Sequence, residues 1–422
     1  MYSEAPRAFP DPGNLDSTVC YYRRWGLPLR SFMRIVQAVF GVFHHFELAR
    51  ELERRGHLSM VYSTFPWRRL KREGLPHSRV ETFPWLHAPE FLLQKYRIGN
   101  RWLYDQMGYS NALLFDEWTL RRIPPCDAFI AISGAGLKTG REAQQRGGHF
   151  ICDRGSTHQR YQDRIVSEEF RRWGVDQPVT DIRDTLREEE IYEAADAITV
   201  PSGFAARSFV EMGLPAEKIR RIPYGVRLER FRRVGEPDAE LFEVLFAGSV
   251  GLRKGVPYLL EAFARLSHPK KRLRVAGAIQ PDIRDVLARL PQRNVEFLGT
   301  VSQERMAELM STSHVMVLPS IEEGLALVQG QALACGCPVI ATTNTGAADL
   351  FTDGVEGYIV PIRDPDALAA RMQQFAEDPS LRQRMSEASL TRVRTLGGWK
   401  QYGDAWEKLL EELTGIVSSD SH

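Results

Sequence analysis

The stretch "EVLFAGSVGLRKGVPYLLEAF", residues 243–263, decides the fold class. It begins with an apolar run of the length expected for a buried parallel strand. Gly248, Ser249 and Gly251 interrupt it, Arg253, Lys254 and Gly255 follow, and from Val256 the apolar residues recur at helical spacing. A strand that feeds a helix through a glycine turn is one βα unit. Such units in series build a parallel sheet covered on both faces.

The pattern repeats in both directions. Downstream, "RLRVAGA" (272–278), "NVEFLGT" (294–300), "HVMVLPS" (314–320), "CPVIATT" (337–343) and "EGYIVPI" (356–362) read as strands, with helical segments among them. Upstream, "MRIVQAVF" (33–40) runs through Gly41 into a helix over 44–57, which Gly56 ends. Further strands are predicted at "DAFIAIS" (127–133), "HFICD" (149–153), "ADAITVPS" (195–202) and "IRRIPYG" (219–225). "VRLERFRRVGEPDAE" (226–240) has no strong period and reads as a linker. The chain therefore divides into two doubly wound α/β domains, 33–225 and 226–396. A closing amphipathic segment, 397–422, contains "QYGDAWEKLLEELTG". Residues 1–32 carry charges and prolines but no apolar core of a secretory signal. They read as an N-terminal extension, either an appendage or a start-site artefact.

Composition narrows the function. The chain has 422 residues, of which 43% are hydrophobic and 26% charged, the profile of a globular protein of more than one domain. A net charge of +1 excludes a globally basic nucleic-acid binder. There is no apolar run long enough for a transmembrane helix. Five scattered cysteines suit a reducing cytoplasm better than a disulfide framework. Cys335 and Cys337 stand too close for a zinc knuckle and read as small buried thiols.

Three segments at predicted strand ends suit a phosphate-bearing ligand. In the first, the glycines after residue 247 expose backbone amides, the helix N-terminus favours an anion, and Lys254 offers a point charge. A surface turn with basic residues is the alternative. In the second, "EGLALVQGQ" (323–331), Glu323 follows a strand end where a carboxylate would accept from hydroxyls. Gly324 to Leu327 would open a helix with free amides, although an acid favoured by the helix dipole explains Glu323 as well. The third, "TNTGAADLF" (343–351), reads as an ordinary N-cap at Asn344 or Thr345 beside the same edge.

These segments resemble glycosyltransferase family 4, retaining enzymes of the GT-B fold. The resemblance rests on "VLPSIEEGLALVQGQALACGCPVIATTNTGAADLF" (317–351), "EVLFAGSVGLRKGVPYLLEAF", "ADAITVPSGFAARSF" (195–209) with "KIRRIPYGVRLERF" (218–231), and "FELARELERRGH" (46–57). It runs from Met33 to the C-terminus. It implies two Rossmann-like domains facing across a cleft and a sugar moved from a nucleotide diphosphate, UDP more often than GDP. The donor would lie in the C-terminal domain and the acceptor mostly in the N-terminal one.

By the same resemblance the paired-glutamate motif falls on Glu323 and Gln331. Glu323 meets the sugar hydroxyls, and the amides of Leu325, Ala326 and Leu327 face the phosphates. Lys254 matches the diphosphate lysine. The arginine usual after the glycine at 248 is replaced by Ser249, with Arg253 as a compensating cation. In the N-terminal domain, where relatives carry a histidine after the strand matching "HFICD", this chain has "DRGSTH" (153–158). Asp153, Arg154 and His158 are the catalytic candidates there, a structural salt bridge being the alternative for Arg154. Gly41, His44, Ser133 and Gly134 lie at the other cleft-facing strand ends. His44 and His45 also read as plain helix-start residues.

The family implies no bound metal and no cofactor beyond the donor, and no DxD triplet stands at a strand end. Two positions, Ser249 and Gln331, depart from the family pattern. They keep open a catalytically weak nucleotide-sugar-binding protein, and the shared architecture keeps open a nucleotide-sugar 2-epimerase. Residues 33–150 hold 17 Lys and Arg against 11 Asp and Glu. "FPWRRLKR" (65–72) and "FPWLHAPEFLLQKYRIGNRWLY" (83–104) interleave aromatic and basic side chains. That suits an anionic membrane surface or a lipid-linked acceptor, and equally a loop-rich domain with solvated arginines.

Overall fold

The computed structural model describes residues 32–417 except 86, 97, 177–178 and 227–229. Residues 1–31 of the N-terminal extension, Cys20 among them, lie outside the described residues.

Two parallel sheets form the frame. The first has seven strands in the order β3-β2-β1-β4-β5-β6-β7. These are β1 (Ile35–Val39), β2 (Leu58–Ser63), β3 (Val80–Thr82), β4 (Ala128–Ile132), β5 (His149–Asp153), β6 (Ala197–Val200) and β7 (Ile219–Arg221). The second has six in the order β10-β9-β8-β11-β12-β13. These are β8 (Phe242–Ala247), β9 (Lys271–Ala276), β10 (Val295–Gly299), β11 (Val315–Leu318), β12 (Val339–Thr342) and β13 (Gly357–Val360). All strand pairings in both are parallel. Central strands β1, β4, β8 and β11 are buried along almost their whole length, as a sheet covered on both faces requires.

Sequence reading had no strand at β2 or β3. β3 has only three residues, and in β2 Ser59 and Ser63 interrupt the apolar residues, so neither stands out as an apolar run. The helices Arg101–Leu120, Gln159–Arg172, Ile182–Ala194 and Pro379–Leu396 were likewise not anticipated, because polar residues interrupt their apolar faces.

Each sheet owns its core, with two exceptions that tie the halves together. The closing helix, Trp399–Thr414, packs on the helix His45–Arg54, and Tyr402, Trp406, Leu409 and Leu410 complete an apolar cluster of the N-terminal domain. Arg55 donates to Glu407 at 3.1 Å, and His57 sits 3.0 Å from the same carboxylate. In the other direction, the helix Gln159–Arg172 places Ile165 and Val166 in the apolar cluster of the C-terminal domain. The chain thus crosses between domains near residue 226 and again near 398. At these crossings Gly225 touches Gly398: a Cβ on Gly225 would stand 2.5 Å from the Gly398 carbonyl carbon, so only glycine fits.

Candidate active site

In a doubly wound sheet the ligand crevice opens at the carboxyl ends of the strands where the order reverses. The reversal falls between β1 and β4 in the first sheet and between β8 and β11 in the second. The loops leaving these four strands, with the one after β5, form the candidate site.

The C-terminal half carries the positive charge. Arg253 and Lys254 follow the glycine turn after β8, and both meet glutamates that follow β11. Lys254 pairs with Glu323, and Arg253 stands 3.8 Å from the same side chain. Arg253 also donates to the Glu322 carboxylate at 3.2 Å and to the Glu322 main-chain oxygen at 3.0 Å. Burial works against the charge on Arg253, but Glu323 and Glu322 outweigh it and hold its pKa above the ordinary value.

The helix Leu327–Ala334 begins beside them. Its entry is anchored by the buried Gln329, whose amide donates to the Thr345 carbonyl at 2.9 Å. The Ala326 N–H is taken by the same carbonyl at 3.2 Å. Of the three amides expected to face phosphate, Ala326 is therefore committed elsewhere, which leaves Leu325 and Leu327. Gln331 is half-buried, one turn into the helix.

At Gly324 the domains approach backbone to backbone. A Cβ there would lie 2.2 Å from the Gly155 carbonyl oxygen, so the loop after β5 rests directly on the loop after β11. Ser202 donates to the Gly324 carbonyl, and Arg221 pairs with Asp349 at 3.0 Å across the same cleft.

The N-terminal half neutralises its own charges. Asp153 is buried; its Oδ2 is 2.8 Å from His44 Nε2 and 3.1 Å from His45 Nε2, and its Oδ1 accepts from Thr199 at 2.8 Å. Burial would raise the Asp153 carboxyl, but His44, His45 and the Thr199 hydroxyl keep it below the usual carboxylate range. His45, wholly enclosed, is pushed down to about 3, chiefly by burial. Tyr224 stacks on His44 with ring centroids 4.4 Å apart.

Among the described residues, His44, His45 and Asp153 are the group that could present ligands to a metal, their atoms lying within 4.8 Å. The two histidines open the helix His45–Arg54, whose dipole favours an anion at that end and disfavours a cation. The cluster is accounted for as a carboxylate clamped at a helix N-terminus.

Two expectations change. Arg154 does not face the cleft as a free cation. It pairs with Glu188 at 2.9 Å and donates to Ser133, Gln159, Gln162 and the Thr157 carbonyl, so the salt-bridge alternative describes it. His158 turns away from the cleft. It caps the helix Gln159–Arg172, accepts from Arg160 N–H at 3.2 Å, and packs on Tyr192 and Phe209. Burial pushes it down to about 4. Gly41 and Gly134 stay at their strand ends, where Thr64 and Arg187 respectively hold their backbone.

Sequence reading missed Glu322, with Ser156, Thr157 and Gln162 opposite it. The doubled acid at a strand end was the available signal, and the resemblance drew attention to its second member alone.

Two facing Rossmann-like domains with a cleft between their switch points make the GT-B fold. The chain superposes over 90% of its length on the whole of a sucrose-phosphate synthase from Thermosynechococcus elongatus, with a TM-score of 0.68 at 20% identity. Over the same share it superposes on the whole of HepE from Anabaena in complex with UDP, with a TM-score of 0.67 at 16% identity. Likenesses at such identities are likenesses of fold. In sequence, residues 228–392 match the family glycosyl transferases group 1. A D-inositol 3-phosphate glycosyltransferase from Streptomyces avermitilis is 31% identical over 238 residues, covering 50% of this chain and 51% of that protein. The chain spans about half the length of the curated relatives it matches.

Proposed function

We propose that the protein transfers a sugar from a nucleotide diphosphate donor, with net retention, to a glycan or lipid-linked acceptor in cell-surface polysaccharide or glycolipid synthesis, as family 4 enzymes do. The observation that carries this reading is the meeting of Arg253, Lys254, Glu323 and the N-terminus of the helix Leu327–Ala334 at one switch point. The cations and the helix end hold the diphosphate, and Glu323 takes the sugar hydroxyls. Positive charge aimed at the departing phosphate stabilises the transition state without a metal or further cofactor. The leaving phosphate accepts the acceptor's proton, and attack occurs on the face it vacates. UDP is the favoured nucleotide. HepE, a fold neighbour, has been solved with UDP and with UDP-glucose, which supports the choice.

The acceptor binds along Gly41, His44, Ser133 and Gly134. Trp85, Phe91, Tyr96 and Trp102 are more than half exposed beside basic segments, and no described helix is long and apolar enough to cross a membrane. This supports a cytoplasmic protein that touches an anionic membrane surface with its N-terminal domain. Such contact gives co-sedimentation with anionic liposomes that salt abolishes, and no co-sedimentation at low salt would refute it.

A second reading, a binding protein with weak turnover, is favoured by Ser249 and Gln331. Melting curves with UDP, GDP and ADP, followed by donor hydrolysis across a nucleotide-sugar panel, test both. Stabilisation by UDP with release of UDP from a sugar donor supports the transferase. Stabilisation without turnover supports the binder, and no stabilisation by any of the three defeats both.

A further inference from the structure

Glu322 stands beside the glutamate assigned to the sugar and points the other way, into the opposite domain. It is fully buried, and donors from two domains converge on its carboxylate. Oε1 accepts from Ser156 Oγ and Thr157 Oγ1, each at 2.7 Å. Oε2 accepts from Gln162 Nε2 at 2.9 Å and from Arg253 Nη1 at 3.2 Å. The first three belong to the loop and helix after β5, whereas Arg253 belongs to the glycine turn of the donor site.

The contact continues on both sides. Gln162 Oε1 accepts from Arg154 Nη2 at 2.8 Å, and Arg154 pairs with Glu188. Beyond Arg253 stand Glu323 and then Lys254. One unbroken polar chain therefore runs from Glu188 in one domain to Lys254 in the other. Its three cations, Arg154, Arg253 and Lys254, are matched by three carboxylates, Glu188, Glu322 and Glu323. A diphosphate entering this balanced site brings surplus negative charge. Arg253 Nη1 is shared among the Glu322 carboxylate, the Glu322 main-chain oxygen and Glu323, so a diphosphate that takes this nitrogen displaces a carboxylate from it. Glu323 is assigned to the sugar, so the carboxylate that must yield is Glu322.

We propose that Glu322 is a resident anion that the donor's diphosphate displaces from Arg253, and that it thereby positions Arg253 and sets donor affinity. The inference rests on the donor reading above. In the free protein the Glu322 contacts hold the loop after β5 against the donor site. When the diphosphate takes Arg253, the hydroxyls of Ser156 and Thr157 still hold Glu322, so the domains stay in register while the charge is handed over. When the diphosphate leaves, Arg253 returns to Glu322, which favours release of the spent nucleotide.

The test measures binding of UDP and of inorganic pyrophosphate to the full chain by calorimetry. It compares the native protein with Glu322→Gln, Glu322→Met and Glu322→Asp. The Gln and Met variants remove the charge with little change of volume, so the outcome does not depend on one variant folding. Each is checked by its melting curve. Loss of a competing charge-assisted contact tightens binding of both probes by about five- to ten-fold in the Gln and Met variants, and the Asp variant shows no gain. A merely structural role for Glu322 gives equal or weaker binding, not a gain. Unchanged or weaker binding of both probes by a folded charge-free variant overturns the proposal. A gain for pyrophosphate with no binding of UDP by any form leaves Glu322 in this role and refutes the uridine donor instead.

Discussion

The two sheet edges that face each other use charge in opposite ways. At the N-terminal edge, Arg154 and Asp153 are saturated by partners of their own domain: Glu188, Ser133 and Gln159 for one, His44, His45 and Thr199 for the other. At the C-terminal edge, Arg253 and Lys254 share the two neighbouring carboxylates Glu322 and Glu323, and Arg253 keeps 36% of its side chain exposed. A charge enclosed by several fixed partners holds a shape, and removing it leaves the others uncompensated. A charge that keeps part of its surface open at the cleft is available to a ligand. The first edge is built as a wall and the second as a grip.

Substitutions on the two sides should therefore fail differently. The largest effect belongs to the wall. Arg154→Ala strands the buried Glu188 and lowers stability by about 3–5 kcal/mol, read from urea unfolding. A loss of activity with unchanged stability would move Arg154 from the wall to the chemistry. Next comes the grip. Lys254→Ala lowers turnover of a nucleotide sugar about 100-fold, with the melting temperature little changed.

Acid should act through buried histidines of both halves, since burial also pushes His314 of the C-terminal domain down to about 4. His45 and His158 are held neutral by burial, at about 3 and about 4, against an ordinary value of 6.5. A depressed histidine gives its stability in full above the unfolded pKa and loses it as pH falls towards the folded one. Asp153, held below its ordinary range, loses its contribution only at still lower pH. The melting temperature should thus drop by several degrees between pH 7 and about 4.5. His158→Gln should flatten part of that slope. A melting temperature that rises on acidification would reverse the assignment. The smallest effect is expected at Gln331→Glu. It restores a charged acceptor in a half-buried position and tightens UDP binding by at most about 1 kcal/mol, seen as a modest shift in a titration.

The same contrast governs what could be read in advance. The grip is made of neighbours in sequence: Gly248 to Lys254 is one turn, and Glu323 to Leu327 is another. Each lies at the end of a strong apolar run, so the βα units and the loops that leave their strands were visible. The wall is made of distant residues. Arg154 meets Glu188, and His44 meets Asp153 more than a hundred positions away. No local pattern announces such pairs, which is why Arg154 and His158 were placed in the cleft and Glu322 was passed over. Strands β2 and β3 escaped because β3 has three residues and β2 mixes serines into its apolar run, so neither carries a clear signal.

The contact of Gly225 with Gly398 has a mechanical consequence. Both chain connections between the domains pass through one spot, backbone against backbone, with no side chain wedged between them. Any turn of one domain against the other that keeps both connections whole must pivot there. That spot is a fulcrum: parts beside it barely shift, while the far rims of the cleft swing widest. A methyl group added at Gly225 would put grit in this bearing, between Tyr224, which stacks on His44, and Val226, which lies against Gly330, on the axis about which the cleft opens.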